Sequence, residues 1–264
     1  MKIAIIGTGN LGKSIAKGLI QNNSFSQLFL TKRNTDELNE FKEVPNVFIS
    51  SNNKEAITAS DVLIFAVQPT HFESVLKEII PLLSDNHIVI STVAGFSIEK
   101  MEALIGSDTT IIRAMPNTAI AVGKSMTCLS GNTQKKEDLE IATTIFNQLG
   151  TSMIIPEDQM QAATVICASG IAFWMRLIRA TTQAAIQLGF DAKEAQELAM
   201  HTSEGAANLL IATQNHPEEE IDKVTTPKGC TIEGLNEMEH KGLSAALIQG
   251  MVASFNKINP IKTT

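Results

Sequence analysis

Residues 2–12 read KIAIIGTGNLG. A short β-branched run leads into Gly7-Thr8-Gly9-Asn10-Leu11-Gly12, and apolar residues then recur at helical spacing as Ile15, Ala16, Leu19 and Ile20. A lone G-x-G-x-x-G is a weak signal; between a strand and a helix it is a strong one. Gly7 permits the tight turn, Gly9 lets the backbone approach a pyrophosphate, and Gly12 allows helix and strand to pack closely. The helix start then offers free N–H groups and partial positive charge to an anion.

Outward from this turn, residues 1–156 alternate β-branched runs with helical patterns. Strands are expected at 2–6, 27–31, 47–50, 61–67, 87–92, 110–113 and 126–130, with helices such as 10–21 and 71–82 between them. That alternation predicts a parallel, doubly wound α/β sheet. Runs such as Ile3-Ala4-Ile5-Ile6 and Val62-Leu63-Ile64-Phe65 are apolar on both faces, as a sheet covered on both sides requires. From residue 157 to 264 the strand signals stop, and 160–188, 192–212 and 243–258 read as helices. The first of these is apolar almost all round, and about 100 helical residues struggle to bury it without a partner subunit. A central helix within one compact domain is the plainer alternative.

The end of the second strand bears on the cofactor. A site for NAD commonly places Asp or Glu about 20 residues after the glycines. Here the strand runs into Lys32-Arg33-Asn34, whose two cations favour a 2′-phosphate, so NADP(H) is expected first and NAD(H) second. Further loops at strand ends, around Asn53, at Val67-Gln68-Pro69, at Ala94 and at Pro116-Asn117, are expected to complete the cleft.

Composition removes other classes. A net charge of −7 argues against nucleic-acid binding, which wants a basic face. Cys128, Cys167 and Cys230 form no C-x-x-C pair, and an odd, dispersed set fits reduced thiols in a cytoplasm. The N-terminal residues read as a strand rather than a signal peptide. The apolar run 164–175 falls short of the ~20 residues of a bilayer span. The five histidines are scattered, and neither a zinc pattern nor a G-x-S-x-G elbow is present. A dinucleotide site with no evident acid, base or metal suits hydride transfer to an electrophile that is already activated, such as a protonated C=N bond. A ketone would want a proton donor, and the chain has no tyrosine.

Several segments together resemble the pyrroline-5-carboxylate reductase family: GTGNLG at 7–12, AVQP at 66–69, VAGFSIEKME at 93–102, RAMPNT at 113–118, ASG at 168–170 and HPEEEIDKVTTPKGCTIEGLNEME at 216–239. The resemblance implies a Rossmann-type domain (1–156) followed by an all-α substrate-binding and dimerisation domain (157–264). It also implies NAD(P)H-dependent reduction of 1-pyrroline-5-carboxylate to L-proline by a homodimer or a larger assembly of dimers. Carried onto this chain, the cofactor would meet Gly7, Gly9, Asn10, Leu11, Gly12, Lys32, Arg33, Asn53, Val67, Gln68, Pro69, Ala94 and Asn117. The substrate carboxylate would meet Gly229, Cys230 and Thr231, with Glu157 near the substrate and Thr231 also reaching the ring nitrogen. Thr225 and Thr226 are equally explained as helix N-caps. The chain departs from the family pattern at Lys228, where a glycine is usual, and at Ile171, Ala119 and Arg179. Two other readings stand beside this one: an NADP-dependent reductase of another imine or a keto acid, and an NADP(H)-binding sensor with impaired turnover.

Overall fold

The computed structural model describes residues 1–132 and 136–258. The chain forms two compact units, one of residues 1–169 with Lys257 and Ile258, the other Gly170–Asn256. The sheet ends at residue 154, whereas the first unit runs on to Ser169 because Met160 and Ala163 pack with Met115 and Cys128. Residues 259–264 of the expected helical domain lie outside the described residues.

The first unit is an eight-stranded sheet. Its elements in order are β1 (Lys2–Ile6), α1 (Asn10–Gln21), β2 (Gln27–Thr31), β3 (Val47–Ser50), α2 (Asn53–Thr58), β4 (Val62–Phe65), α3 (Pro69–Ile79), β5 (Ile88–Ser91), α4 (Ile98–Ile105), β6 (Thr110–Met115), β7 (Ser125–Gly131), α5 (Lys136–Asn147) and β8 (Gly150–Ile154). The strand order is β3-β2-β1-β4-β5-β6-β7-β8. Strands β1 to β6 pair in parallel. The expected parallel, doubly wound sheet is thus present, and at its far edge β7 runs antiparallel to β6 and parallel to β8. A tight 3₁₀ turn at 118–122 returns the chain beside β6, too short a link for a parallel crossover.

Alternation along the strands sorts the core into two layers. Ile3, Ile5, Leu28, Leu30, Ile64 and Ile90 face Ile15 and Leu19 of α1 and Ile145 and Phe146 of α5. Ala4, Ile6, Leu63, Phe65 and Val89 face Ile57 of α2, Phe72 and Leu76 of α3 and Met101 of α4. Helices thus cover both faces, which is why these strands carry no polar alternation.

The second unit contains α7 (Gly170–Gln187), α8 (Ala192–Thr213), α9 (Pro217–Val224), α10 (Cys230–His240) and most of α11 (Leu243–Ile258), after the single-turn α6 (Met160–Ala163) in the first unit. Asp191 starts α8 by accepting hydrogen bonds from the Lys193 and Glu194 amides at 2.8 and 2.9 Å. Pro217 and three glutamates in the first turn start α9. In this single chain the unit buries almost nothing apolar: Trp174 is 60% and Ile211 68% exposed, and its buried side chains are small. An exposed apolar area on this scale marks an interaction surface. Residues 157–187 form one continuous helical stretch, long and apolar enough by length and composition to cross a membrane, so the short run 164–175 understates it.

Candidate active site

Strand order reverses between β1 and β4, and a crevice opens outside the carboxyl ends of the strands there. A cleft of about 390 Å³ fills this position. Gly7, Gly9, Lys32, Arg33, Asn53, Val67 and Gln68 all line it, so seven of the expected cofactor residues come together from four separate segments. Asn10, Leu11 and Gly12 form the first turn of α1, and Pro69 opens α3. Ala94 and Asn117 lie after β5 and β6 and are not among the residues lining this cleft.

The three glycines have different reasons to be glycine. Gly7 has φ +91°, and a Cβ there would run into Val67. A Cβ on Gly12 would stand 2.6 Å from the Gly7 carbonyl oxygen, so α1 could not pack so closely. Gly9 has an ordinary φ of −81°, and its Cβ would meet nothing within 4 Å. Nothing in the protein requires glycine at residue 9, which leaves the open space above it for a ligand. Gly9 also precedes α1 without any side-chain cap, so the first amides of that helix are free for an anion. This cradle fits a dinucleotide pyrophosphate.

The turn is held from the second strand. The Gly7 and Thr8 amides donate to the Thr31 carbonyl at 3.2 and 2.9 Å, and the buried Thr8 hydroxyl donates to the same oxygen at 3.1 Å. The Thr31 hydroxyl in turn donates to Asn53 at 2.8 Å. At the 2′ end of the cleft, Lys32 is bound to Glu37 at 2.6 Å. The Lys32 hydrogen bond, followed by its charge, holds the Glu37 carboxyl below the usual carboxylate range. Arg33 is exposed and has no ion pair among the described residues. Glu37 and His71, which also line the cleft, were missed in the sequence. Glu37 sits on a 3₁₀ turn with no apolar period to mark it, and His71 lies in the first turn of a helix read only as structural.

Beyond the cleft, the Asn117 side chain accepts from the Ala119 amide at 2.9 Å and donates to the Cys167 carbonyl at 3.0 Å. Glu157 accepts from the Ile98 amide at 2.6 Å and from the nearly buried Arg113 at 3.1 Å. It therefore neutralises Arg113 and anchors the start of α4.

In the second unit, Gly229, Cys230 and Thr231 stand at the start of α10. The Gly229 amide donates to the Thr226 carbonyl at 2.9 Å, closing a turn with Pro227 and Lys228 at its centre. A Cβ on Gly229 would stand 3.0 Å from the Thr226 carbonyl oxygen and displace the Thr226 hydroxyl, so the turn packs most closely with glycine there. Neither threonine caps α10: the Thr225 hydroxyl donates to the Asp222 carbonyl at 3.1 Å, closing α9 instead. The first amides of α10 are consequently free, with the exposed Thr231 hydroxyl beside them.

Two family models match the chain. Residues 157–260 match pyrroline-5-carboxylate reductase dimerisation, and residues 2–95 match NADP oxidoreductase, coenzyme F420-dependent. Pyrroline-5-carboxylate reductase 1 of Dictyostelium discoideum is 42% identical over 99% of this chain, which spans 50% of that protein's length. Pyrroline-5-carboxylate reductase 2 of the same organism is 40% identical over 97% of this chain and 91% of its own. The crystal structure of a Plasmodium falciparum pyrroline carboxylate reductase with NADP bound superposes with a TM-score of 0.88 at 26% identity, covering 98% of this chain and 97% of that one.

Proposed function

The chain belongs to the pyrroline-5-carboxylate reductase family, and we propose that it reduces 1-pyrroline-5-carboxylate to L-proline with NADPH. The observation that carries this reading is the open cradle over Gly9 beside the cations at the end of β2 in the first unit; the uncapped start of α10 in the second unit supports it separately. Bound NADPH supplies a hydride to the ring C5 of the cyclic imine. The free amides of α1 hold the pyrophosphate, and Arg33, with Lys32 once released from Glu37, takes the 2′-phosphate. Asn10, Leu11, Asn53, Val67, Gln68, Pro69, Ala94 and Asn117 complete the cofactor's surroundings.

The amides of Cys230 and Thr231 receive the substrate carboxylate, and the preceding Gly229 lets the turn close. The Thr231 hydroxyl hydrogen-bonds the ring nitrogen. Because the iminium carries its own positive charge, hydride addition discharges it, and the protein's task is orientation rather than acid catalysis. Glu157 acts from its place on Arg113, holding the start of α4. NADH serves as the lesser cofactor. The exposed apolar helices of the second unit are covered by a second copy of the chain, in a homodimer or an assembly of dimers. Three free thiols accord with a cytoplasmic setting.

The test is NADPH oxidation with 1-pyrroline-5-carboxylate beside other cyclic imines and keto acids, for the wild type and Thr231→Ala. Wild-type turnover should be confined to the carboxylated imine. Losing a hydrogen bond to a charged substrate should lower kcat/KM of the variant by roughly ten- to a hundredfold. Faster turnover of a keto acid, or an unaffected Thr231→Ala, would sink the assignment; tight NADPH binding with no turnover at all would identify a sensor.

A further inference from the structure

Cys128 and Cys167 are 39 positions apart in sequence, yet their Sγ atoms lie 3.7 Å from each other. Both belong to the first unit and both are free thiols. Cys128 is a buried residue of β7, among Met115, Met160 and Ala163. Cys167 is partly exposed on a π-helical turn, Thr164–Ser169, whose wide hydrogen bonding departs from the α-helices around it. The reduction of an imine uses neither thiol.

We infer that Cys128 and Cys167 are a hydroperoxide-reactive pair, with Cys167 as the attacking thiol and Cys128 as the resolving one. Exposure distinguishes the roles, because Cys167 is partly open to solvent whereas Cys128 is 4% exposed. Acidity agrees with that division. The hydrogen bond between the two sulfurs favours ionisation of one thiol at the expense of the other, and holds Cys167 below the ordinary thiol range.

In the first step the Cys167 thiolate attacks the O–O bond of a hydroperoxide. It gains one oxygen as a sulfenic acid, and the other oxygen leaves as an alcohol, or as water from hydrogen peroxide. In the second step the Cys128 sulfur displaces hydroxide from the sulfenic sulfur, which departs as water with the Cys128 proton. Two thiols are oxidised by two electrons in all, and one peroxide is reduced.

Bond formation draws the sulfurs from 3.7 Å to about 2.05 Å. Strand β7 is paired on both sides, with Met115 and Met153 flanking Cys128, so the π-helical turn is the element that moves. The Cys167 carbonyl, which receives the Asn117 side chain at 3.0 Å, moves with it. Oxidation therefore reaches the segment assigned to the cofactor. This consequence rests on the proposed role of Asn117; the disulfide does not.

The experiment exposes full-length protein to equimolar hydrogen peroxide, alkylates remaining thiols, and maps peptides by mass spectrometry, with NADPH affinity measured on the same samples. The expected result is a peptide linking Cys128 to Cys167 that dithiothreitol abolishes, and a several-fold weaker affinity for NADPH that dithiothreitol restores. Cys128→Ala should form no such link and keep its affinity at that dose. Free Cys128 and Cys167 after the exposed Cys230 has been oxidised would overturn the inference, as would over-oxidation of Cys167 with Cys128 still a thiol. Linked protein with unchanged NADPH affinity would overturn the coupling through Asn117 and leave the reductase assignment intact.

Discussion

Lys228 should be strained, and replacing it with glycine should stabilise the protein. The turn Thr226-Pro227-Lys228-Gly229 closes with an amide-to-carbonyl bond of 2.9 Å, and Lys228 has φ +59°. Proline second and a positive φ third are the marks of a type II turn, which favours glycine at the third place. A residue bearing Cβ pays about 1–2 kcal/mol in this left-handed region. Glycine removes that strain but adds freedom to the unfolded chain, a cost of about 0.4–1 kcal/mol. Lys228 is exposed, so little packing is lost. The balance is a gain of up to about 1.6 kcal/mol, or as much as roughly 3–6 °C in Tm for a chain of this length. The assay is thermal unfolding followed by circular dichroism at one fixed protomer concentration, since assembly makes Tm concentration-dependent. Lys228→Ala keeps the Cβ and should leave Tm where it was. Equal shifts for glycine and alanine, or a loss with glycine, would refute the strain argument. If Lys228→Gly also raises KM for the imine, the strain is retained because the ammonium helps hold the substrate carboxylate.

Four other variants have expected outcomes. Gly9→Ala should fold with a Tm within about 1 °C of wild type, because its methyl meets nothing, yet bind NADPH at least roughly tenfold more weakly; isothermal titration beside a melting curve checks both halves. Arg33→Ala should weaken NADPH by roughly tenfold and leave NADH unaffected, while Glu37→Gln should tighten NADPH by releasing Lys32. The Lys32 bond depresses the Glu37 pKa, so this competition is complete above the ordinary carboxylate range and fades as pH falls through the lowered value; fluorescence titration at two pH values measures it. Trp174→Glu, placed on the exposed apolar face of α7, should yield protomers in sedimentation velocity where the wild type sediments as an oligomer.

The nucleotide-binding half was legible because its signals are local. The glycine turn, the doubly apolar strands and the Lys32-Arg33 pair each act within a few residues, and the strand ends around them converge on one cleft. What escaped depends on longer-range geometry. Strand direction has no sequence period, so β7 antiparallel to β6 could not be read from residues 125–131. Strand β8 was missed because Gly150–Ile154 is half-exposed and lacks a clean alternation. Glu37 reaches the cleft from a 3₁₀ turn, and Cys128 meets Cys167 only once the π-helical turn is packed against the sheet. At the late turn the proline and glycine were visible, but the free amides of α10 depend on Thr225 closing α9 instead of capping the next helix.

The central claim is hydride transfer to a cyclic imine, and isotope transfer tests it most directly. The protein is supplied with NADPH deuterated on C4 and with 1-pyrroline-5-carboxylate, and the proline formed is analysed by mass spectrometry and NMR. The account predicts L-proline carrying one deuterium at ring position 5, in step with the NADPH consumed. NADPH consumption without labelled proline, or no consumption by protein that binds NADPH tightly, would contradict it.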